Sequence, residues 1–456
     1  MTEKQSHDFT QKLLTLVIPI AFQQFMLALV SASDALMLGM LTQDALSAVS
    51  LAGQITFVEN LFFAAMAIGL SMLAAQYWGK GDRAAVERIF AYVMKITVVV
   101  SFLFFNAGFM IPGALMCIFT NEQPLIEGGR IYLRTVSLAF LLTGISQVYL
   151  CILKNTGKAA RSSVISSVSV VVNIILNAIF IFGWLGLPEM GIAGAALATV
   201  IARAIEVMWC VIETVKKDNI KLKLYYMMHN DKVLRHDFWK YSFPVLGNEI
   251  VWGVGFTMYS VIMGHLGSDA VAANSIANIV KNLVACFCLG LGSGGGIIVG
   301  NELGAGRLDK AKEYGGRLCR MSALCGVASG IVMLALSPLI FAVTDLSDTA
   351  NTYLKWMLVM CSCYMVGKSV NGTTIGGIFC AGGDSKFGFL CDIVTMWCIT
   401  VPLGLLTAFM LKLPVLAVYF IVNLDEIVKI PAVYLHYKKY KWVKDLTVYN
   451  GKREAE

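Results

Sequence analysis

The sequence predicts an all-α polytopic membrane protein, with twelve transmembrane helices in two pseudo-symmetric lobes of six. Three observations carry that. The 456 residues are 57% hydrophobic and 14% charged, with a mean hydropathy of +0.72, more apolar than a soluble domain can present to water. Stretches longer than about 18 residues with few charges recur along the whole chain. Finally, "LGMLTQDALSA" at residues 38–48 returns without a gap as "MGHLGSDAVAA" at residues 263–273. A membrane β-barrel would alternate apolar and polar residues, whereas "VMKITVVVSFLFFNAGFMIPGALMCIF" at 93–119 is apolar on every side.

Turn signals and charges bound the elements in order. Spans at 11–40, 44–77, 85–112, 123–151, 160–184 and 190–214 form a first lobe over residues 1–215. The hydrophilic run at 216–236 is a linker, and spans at 237–265, 269–302, 312–344, 349–380, 385–411 and 414–438 form a second lobe over 237–456 that ends in a basic tail. Lys and Arg fall on alternate connections, among them Lys80, Arg83 and Arg88, then Lys154, Lys158 and Arg161, then Arg307, Lys310 and Lys312. The intervening turns "LTQD", "WLGLPEM", "HLGSD" and "DLSDTA" hold none. The positive-inside bias therefore places the linker and both termini in the cytoplasm of a cell (inner) membrane protein. It also accounts for the net charge of +7 without a nucleic-acid partner. The N-terminal "MTEKQSHDFTQK" lacks the layout of a signal peptide, so the first span is expected to stay as an anchor. Of the twelve cysteines, Cys286, Cys288, Cys361 and Cys363 sit in apolar spans without histidines and are expected to be small buried residues, not metal or disulfide partners.

The repeat outlasts any single helix. At a constant offset of 225, Pro19 pairs with Pro244, Gly39 with Gly264, Asp44 with Asp269, and "AAQYWGKGD" at 74–82 with "VGNELGAGR" at 299–307. Shifted by one, "ILKNTGKAA" at 152–160 meets "IFCAGGDSK" at 378–386. Six helices per half make the copies parallel repeats about an axis along the membrane normal, an arrangement found in alternating-access transporters.

These features resemble the multidrug and toxic compound extrusion (MATE) family, of bacterial type, over essentially the whole chain. The resemblance rests on the proline-led first helix with Asp34 before "LMLG", the "AAQYWGKGD" and "VGNELGAG" turns, "LPEMGIAGAALATVIAR" at 187–203 and "GIFCAGGDSK" at 377–386. It implies two lobes around a central cleft and efflux of varied, often cationic organic compounds, driven by entry of protons or sodium ions.

Ionisable residues inside a membrane are costly, so each is a candidate site. Asp34 lies seven residues, about 10 Å, from the outer end of its helix. Asn177 lies seven from the outer end of the fifth helix, Asn173 one turn deeper on the same face, and Thr199 eight residues down the sixth. One carboxylate among amide and hydroxyl oxygens suits a proton or a sodium ion. The resemblance implies a cation site here, with Asp34, Asn173 and Thr199 on matching positions. It departs at Asn177, where one branch of the family can carry a second aspartate. In the second lobe Glu249 and Lys368 share a depth near mid-membrane, and Asp392, Asp425, Glu426 and Lys429 add charge. Another branch pairs a glutamate at the Glu249 position with a helix-10 aspartate, which here is Ser369. We therefore expect a charge network in which Lys368 replaces the bound ion. Glu59 and Lys281 resist placement from sequence.

Secondary active efflux is the expected function, with a flippase for a lipid-linked or amphiphilic substrate as the alternative. No GxxxxGK[ST] occurs for direct use of ATP, no HExxH occurs, and the five histidines fall in tails, linkers and helix ends, so an enzyme is not expected. Expected partners are small organic substrates and the lipid bilayer. No cofactor or resident metal is expected beyond a coupling H+ or Na+, a sodium ion being at most a transient guest at Asp34. A monomer is expected.

Overall fold

The structure is a computed structural model that describes residues 3–229, 231–344 and 346–448. The first six spans are α1 (Glu3–Gly39), α2 (Gln43–Lys80), α3 (Arg83–Met110), α4 (Gln123–Asn155), α5 (Ala159–Phe182) and α6 (Gly191–Val215). The next three are α7 (Lys232–Gly264), α8 (Ser268–Gly304) and α9 (Leu308–Val343). α10 (Asp348–Asn371) widens into a π-helical turn over Gly372–Phe379. α11 starts as Ser385–Asp392 and runs on through π-helical segments to Met410. α12 is two pieces, Val415–Val422 and Asp425–Lys438, where an unbroken 414–438 was expected. No strand occurs among the described residues.

Among those residues ten helices are long and apolar enough to cross a membrane by length and composition. α10 and α12 are outside that count for a physical reason. α10 carries Lys355 and Lys368, and α12 is interrupted beside Asp425, Glu426 and Lys429. Helix breaks inside a membrane persist where freed backbone groups find partners, and here the Asn423 amide donates to the Tyr419 carbonyl at 2.8 Å. Cys286, Cys288 and Cys361 are buried as expected, but Cys363 is exposed. Two residues along a helix turn about 200°, so Cys361 enters the core and Cys363 faces outward.

By contacts the chain forms two compact units, one from the described parts of Met1–Gln24, Ser71–Asp82 and Phe238–Glu456, the other from Phe25–Leu70 and Arg83–Asp237. In the second unit the linker is tied to the helix ends it follows. Lys223 pairs with Glu87 at 2.5 Å and Arg88 with Asp231 at 3.1 Å. Asp231 Oδ1 also accepts from the Val233 amide at 3.0 Å, which caps the start of α7. Lys158, in the turn before α5, reaches the Asp218 carbonyl at 2.9 Å and the Asn219 side chain.

In the first unit the repeat becomes visible as geometry. α2 and α8 cross so closely that a Cβ on Gly79 would stand 2.0 Å from the Asn301 carbonyl oxygen, and one on Gly304 would stand 1.9 Å from that of Gln76. Those four residues are two repeat-related pairs at the offset of 225, and Gly300 meets its own counterpart Ala75. The contact is therefore reciprocal about a local two-fold axis. Small residues let helix backbones approach in this way. Gly79→Val and Gly304→Val each force the backbones apart, beyond the ~1–3 kcal/mol usual for overpacking. Both variants are expected to lose most of the monodisperse protein seen by size-exclusion chromatography after extraction.

The tail after α12 folds back as a strap. Trp442 is fully buried, and the buried Gln76 amide holds the strap at both polar atoms. Its Nε2 donates to the Ala381 carbonyl at 2.7 Å and the Lys444 carbonyl at 3.1 Å, and its Oε1 accepts from the Leu446 amide at 2.6 Å. Lys80 adds a bond to the Thr447 carbonyl at 3.0 Å.

Candidate functional site

The second unit assembles the four polar residues singled out on α1, α5 and α6 into one chain of hydrogen bonds. Asn177 Nδ2 donates to Asp34 Oδ1 at 2.5 Å and to Asn173 Oδ1 at 3.2 Å, and Asn173 Nδ2 donates to Thr199 Oγ1 at 3.3 Å. Thr199 in turn donates back along its helix to the Ala195 carbonyl at 3.0 Å. The two asparagines meet because i and i+4 superpose on a helix. Asn177 is 1% exposed. Its amide turns N–H toward the carboxylate, the orientation electrostatics requires, which leaves its Oδ1 buried without a donor. The arrangement thus offers one negative charge, one open amide oxygen, and an N–H group against the carboxylate.

Two residues that sequence reasoning did not place belong to the same unit. Arg203 lies one turn beyond Thr199 on α6, and its charge reaches both Asp34 and Glu59. Its own ion pair is with Glu206 at 2.8 Å, three residues on. Glu59 of α2 is 1% exposed and forms no ion pair among the described residues, and its Oε1 accepts no hydrogen bond. The sequence signal was there, an acid inside an apolar helix; what it lacked was the facing direction. Because Glu59 already lacks a partner, Glu59→Gln is expected to melt no lower than wild type in detergent. A fall of several degrees would instead mean that the carboxylate is held by Arg203.

In the first unit the charged residues separate into linked groups. Lys429 is 3% exposed at its side chain and stands between two acids, 2.7 Å from Asp392 Oδ1 and 3.4 Å from Asp425 Oδ2. Glu426 accepts from Asn371 Nδ2 at 2.8 Å, and its carbonyl accepts from the same nitrogen at 2.7 Å. Tyr364 donates to Asp425 Oδ1 at 3.4 Å. Lys429, and after it Lys368 and Lys281, act on Glu426 through space, and Lys281 faces the rings of Tyr364 at 5.6 Å and Phe256 at 6.0 Å. No ion pair joins Glu249 to Lys368 among the described residues. The lysine seated between carboxylates is Lys429, which shares a face with Asp425 one turn away in the second piece of α12 while Asp392 approaches from α11.

With the geometry in place, comparison with known proteins decides the family. The MatE family model matches residues 19–179 and again 244–406, more than half of the chain. The chain belongs to the MatE family. Both matches begin on prolines, Pro19 and Pro244, that the internal repeat pairs. Among related MatE-type proteins, the uncharacterized transporter YisQ of Bacillus subtilis is 22% identical over 446 residues, 97% of each chain. The multidrug resistance protein NorM of Photobacterium profundum is 24% identical over 413 residues, 87% of each chain. A solved structure of a MOP superfamily transporter from Pyrococcus furiosus matches with a TM-score of 0.86 at 16% identity, over 95% of this chain and 96% of that one. At that identity the likeness speaks for the fold, a two-lobe, multi-pass helical membrane protein.

Proposed function

We propose that this MatE-family transporter exports organic, often cationic compounds, and that protons entering through Asp34 drive the export. The observation that carries the reading is the hydrogen bond from Asn177 Nδ2 to Asp34 Oδ1 at 2.5 Å. A sodium ion is a hard cation that gathers several oxygen ligands, and an N–H group against the Asp34 carboxylate takes one of those places with the wrong polarity. A proton needs the carboxylate alone. The charge of −1 at this site, where a second aspartate would give −2, favours the proton for the same reason. The names of relatives such as NorM support the drug-export part of the reading.

In this reading the basic connections face the cytoplasm, both termini lie there, and the chain works as a monomer in the cell membrane. Reconstituted wild-type protein, loaded with a fluorescent organic cation, is expected to export it when a proton gradient is imposed and not when a sodium gradient alone is imposed. Export driven by sodium alone overturns the coupling. No export under either gradient turns the reading toward a flippase.

A further inference from the structure

We propose that a cleft between α9 and α12 binds the headgroup of an anionic phospholipid from the cytoplasmic leaflet. The inference rests on the membrane orientation given above. The cleft has a volume of about 740 Å³, with Val370 and Thr374 of α10 among the residues that line it, between walls from α9 and α12. Four cations line it, Lys312, Arg317, Arg320 and Lys438, against one acid, Glu313. Glu313 is held by Arg317 at 3.3 Å, and Lys312 leans toward Asp309, an almost fully exposed residue outside the lining. Arg320 and Lys438 have no acidic partner among the described residues. Among the described residues the cleft therefore carries an excess of positive charge that no acid neutralises.

Its position says where the neutralising charge comes from. On α9, Leu324, Val327 and Ile331 are all exposed and follow Arg320 at helical spacing, so Arg320 ends a stripe that faces lipid. On α12, the exposed Ile427 and Tyr434 lead to Lys438 along the same kind of stripe. Residues 321–343 contain no charged side chain, and such a run spans about 30 Å of hydrocarbon. Arg320 thus lies where the hydrocarbon meets the headgroups. Tyr434, Tyr437 and Tyr440 line the cleft at that level, the depth at which tyrosine is enriched in membrane proteins. Basic pockets between helices on the cytoplasmic side suit phosphate-bearing lipid headgroups, and the apolar stripes below supply a bed for the acyl chains.

The test uses native mass spectrometry of delipidated full-length protein titrated with phosphatidylglycerol, with phosphatidylcholine as the neutral comparison. Phosphatidylglycerol is expected to bind at least about tenfold more tightly, since each basic residue near an anionic lipid contributes roughly a factor of five. Arg320→Gln with Lys438→Gln is expected to weaken phosphatidylglycerol by about 30-fold on the same scale and leave phosphatidylcholine unchanged. Arg320→Lys with Lys438→Arg keeps the charge and is expected to retain binding. Equal binding of the two lipids by wild type overturns the proposal, as does a doubly neutralised variant that binds as wild type does. Millimolar inorganic phosphate added to the wild-type complex separates the sources. Full displacement would mean a site for free phosphate and would also overturn the lipid assignment. The wild-type arms decide the matter even if the double variant fails to fold.

Discussion

Asp34→Asn is expected to reduce proton-driven export to the level of protein-free liposomes while the protein still elutes and melts like wild type. The asparagine keeps the shape of the carboxyl group, and its amide can still bond Asn177, so the chain through Asn173 to Thr199 survives. What disappears is the one group at the site that can gain and lose a proton. Retained gradient-driven export in a folded Asp34→Asn protein would move the coupling group elsewhere, with Glu59 and Glu249 next in line. Asn177→Asp tests the same geometry in the other direction. It removes the N–H from the carboxylate and raises the site charge to −2, so a sodium gradient is expected to begin to drive export. If sodium remains without effect in that variant, the Asn177 N–H is not what excludes it.

The second large effect is expected at Lys429. Lys429→Met leaves Asp392 and Asp425 buried without their cation, and breaking a buried pair from one side costs about 3–5 kcal/mol. Most of the protein is expected to be lost on extraction, or to melt far below wild type. Adding Asp392→Asn and Asp425→Asn to Lys429→Met removes the two stranded charges, leaves Glu426 to Asn371 and to Lys368 and Lys281, and is expected to restore folding, because replacing buried ions by neutral groups of similar volume is often no less stable. A rescue of folding with export intact would make the cluster structural. A rescue of folding with altered coupling would place it in the transport cycle. Lys429→Met protein that folds normally would show that the three residues are not mutually dependent.

The sequence spoke most clearly where the signal was periodic or local. Asp34, Asn173, Asn177 and Thr199 could be grouped by depth and by the i, i+4 rule, and the structure brings them into one hydrogen-bonded chain. Depth alone was not enough in the other unit. Glu249 and Lys368 lie at one level without pairing, because a level is a ring around a bundle and only the rotation of each helix selects neighbours. Lys429 meets Asp425 by i,i+4 spacing, but the approach of Asp392 from α11 depends on how two helices face each other, which the sequence does not carry. Arg203 was missed, and Glu59 was noted but not placed, for the same rotational reason. The sequence marks the tail after α12 only by its basic charge, yet Trp442 and Leu446 are buried in it. That fold-back depends on Gln76, more than 360 residues earlier, and no local pattern can carry such a contact.

The crossing of α2 and α8 has the form of an isologous contact, the kind made by two identical subunits around a two-fold axis. Position 75 faces its copy at 300, while 76 and 304, 79 and 301 meet as reciprocal partners. In a homodimer one substitution there would change both sides at once, and a compensating change would arrive with it. In a single chain each side mutates alone against a partner held fixed. The tolerance of this crossing is therefore that of a dimer seam without a dimer's symmetry of change: a larger residue at either glycine meets a backbone carbonyl that cannot retreat in step.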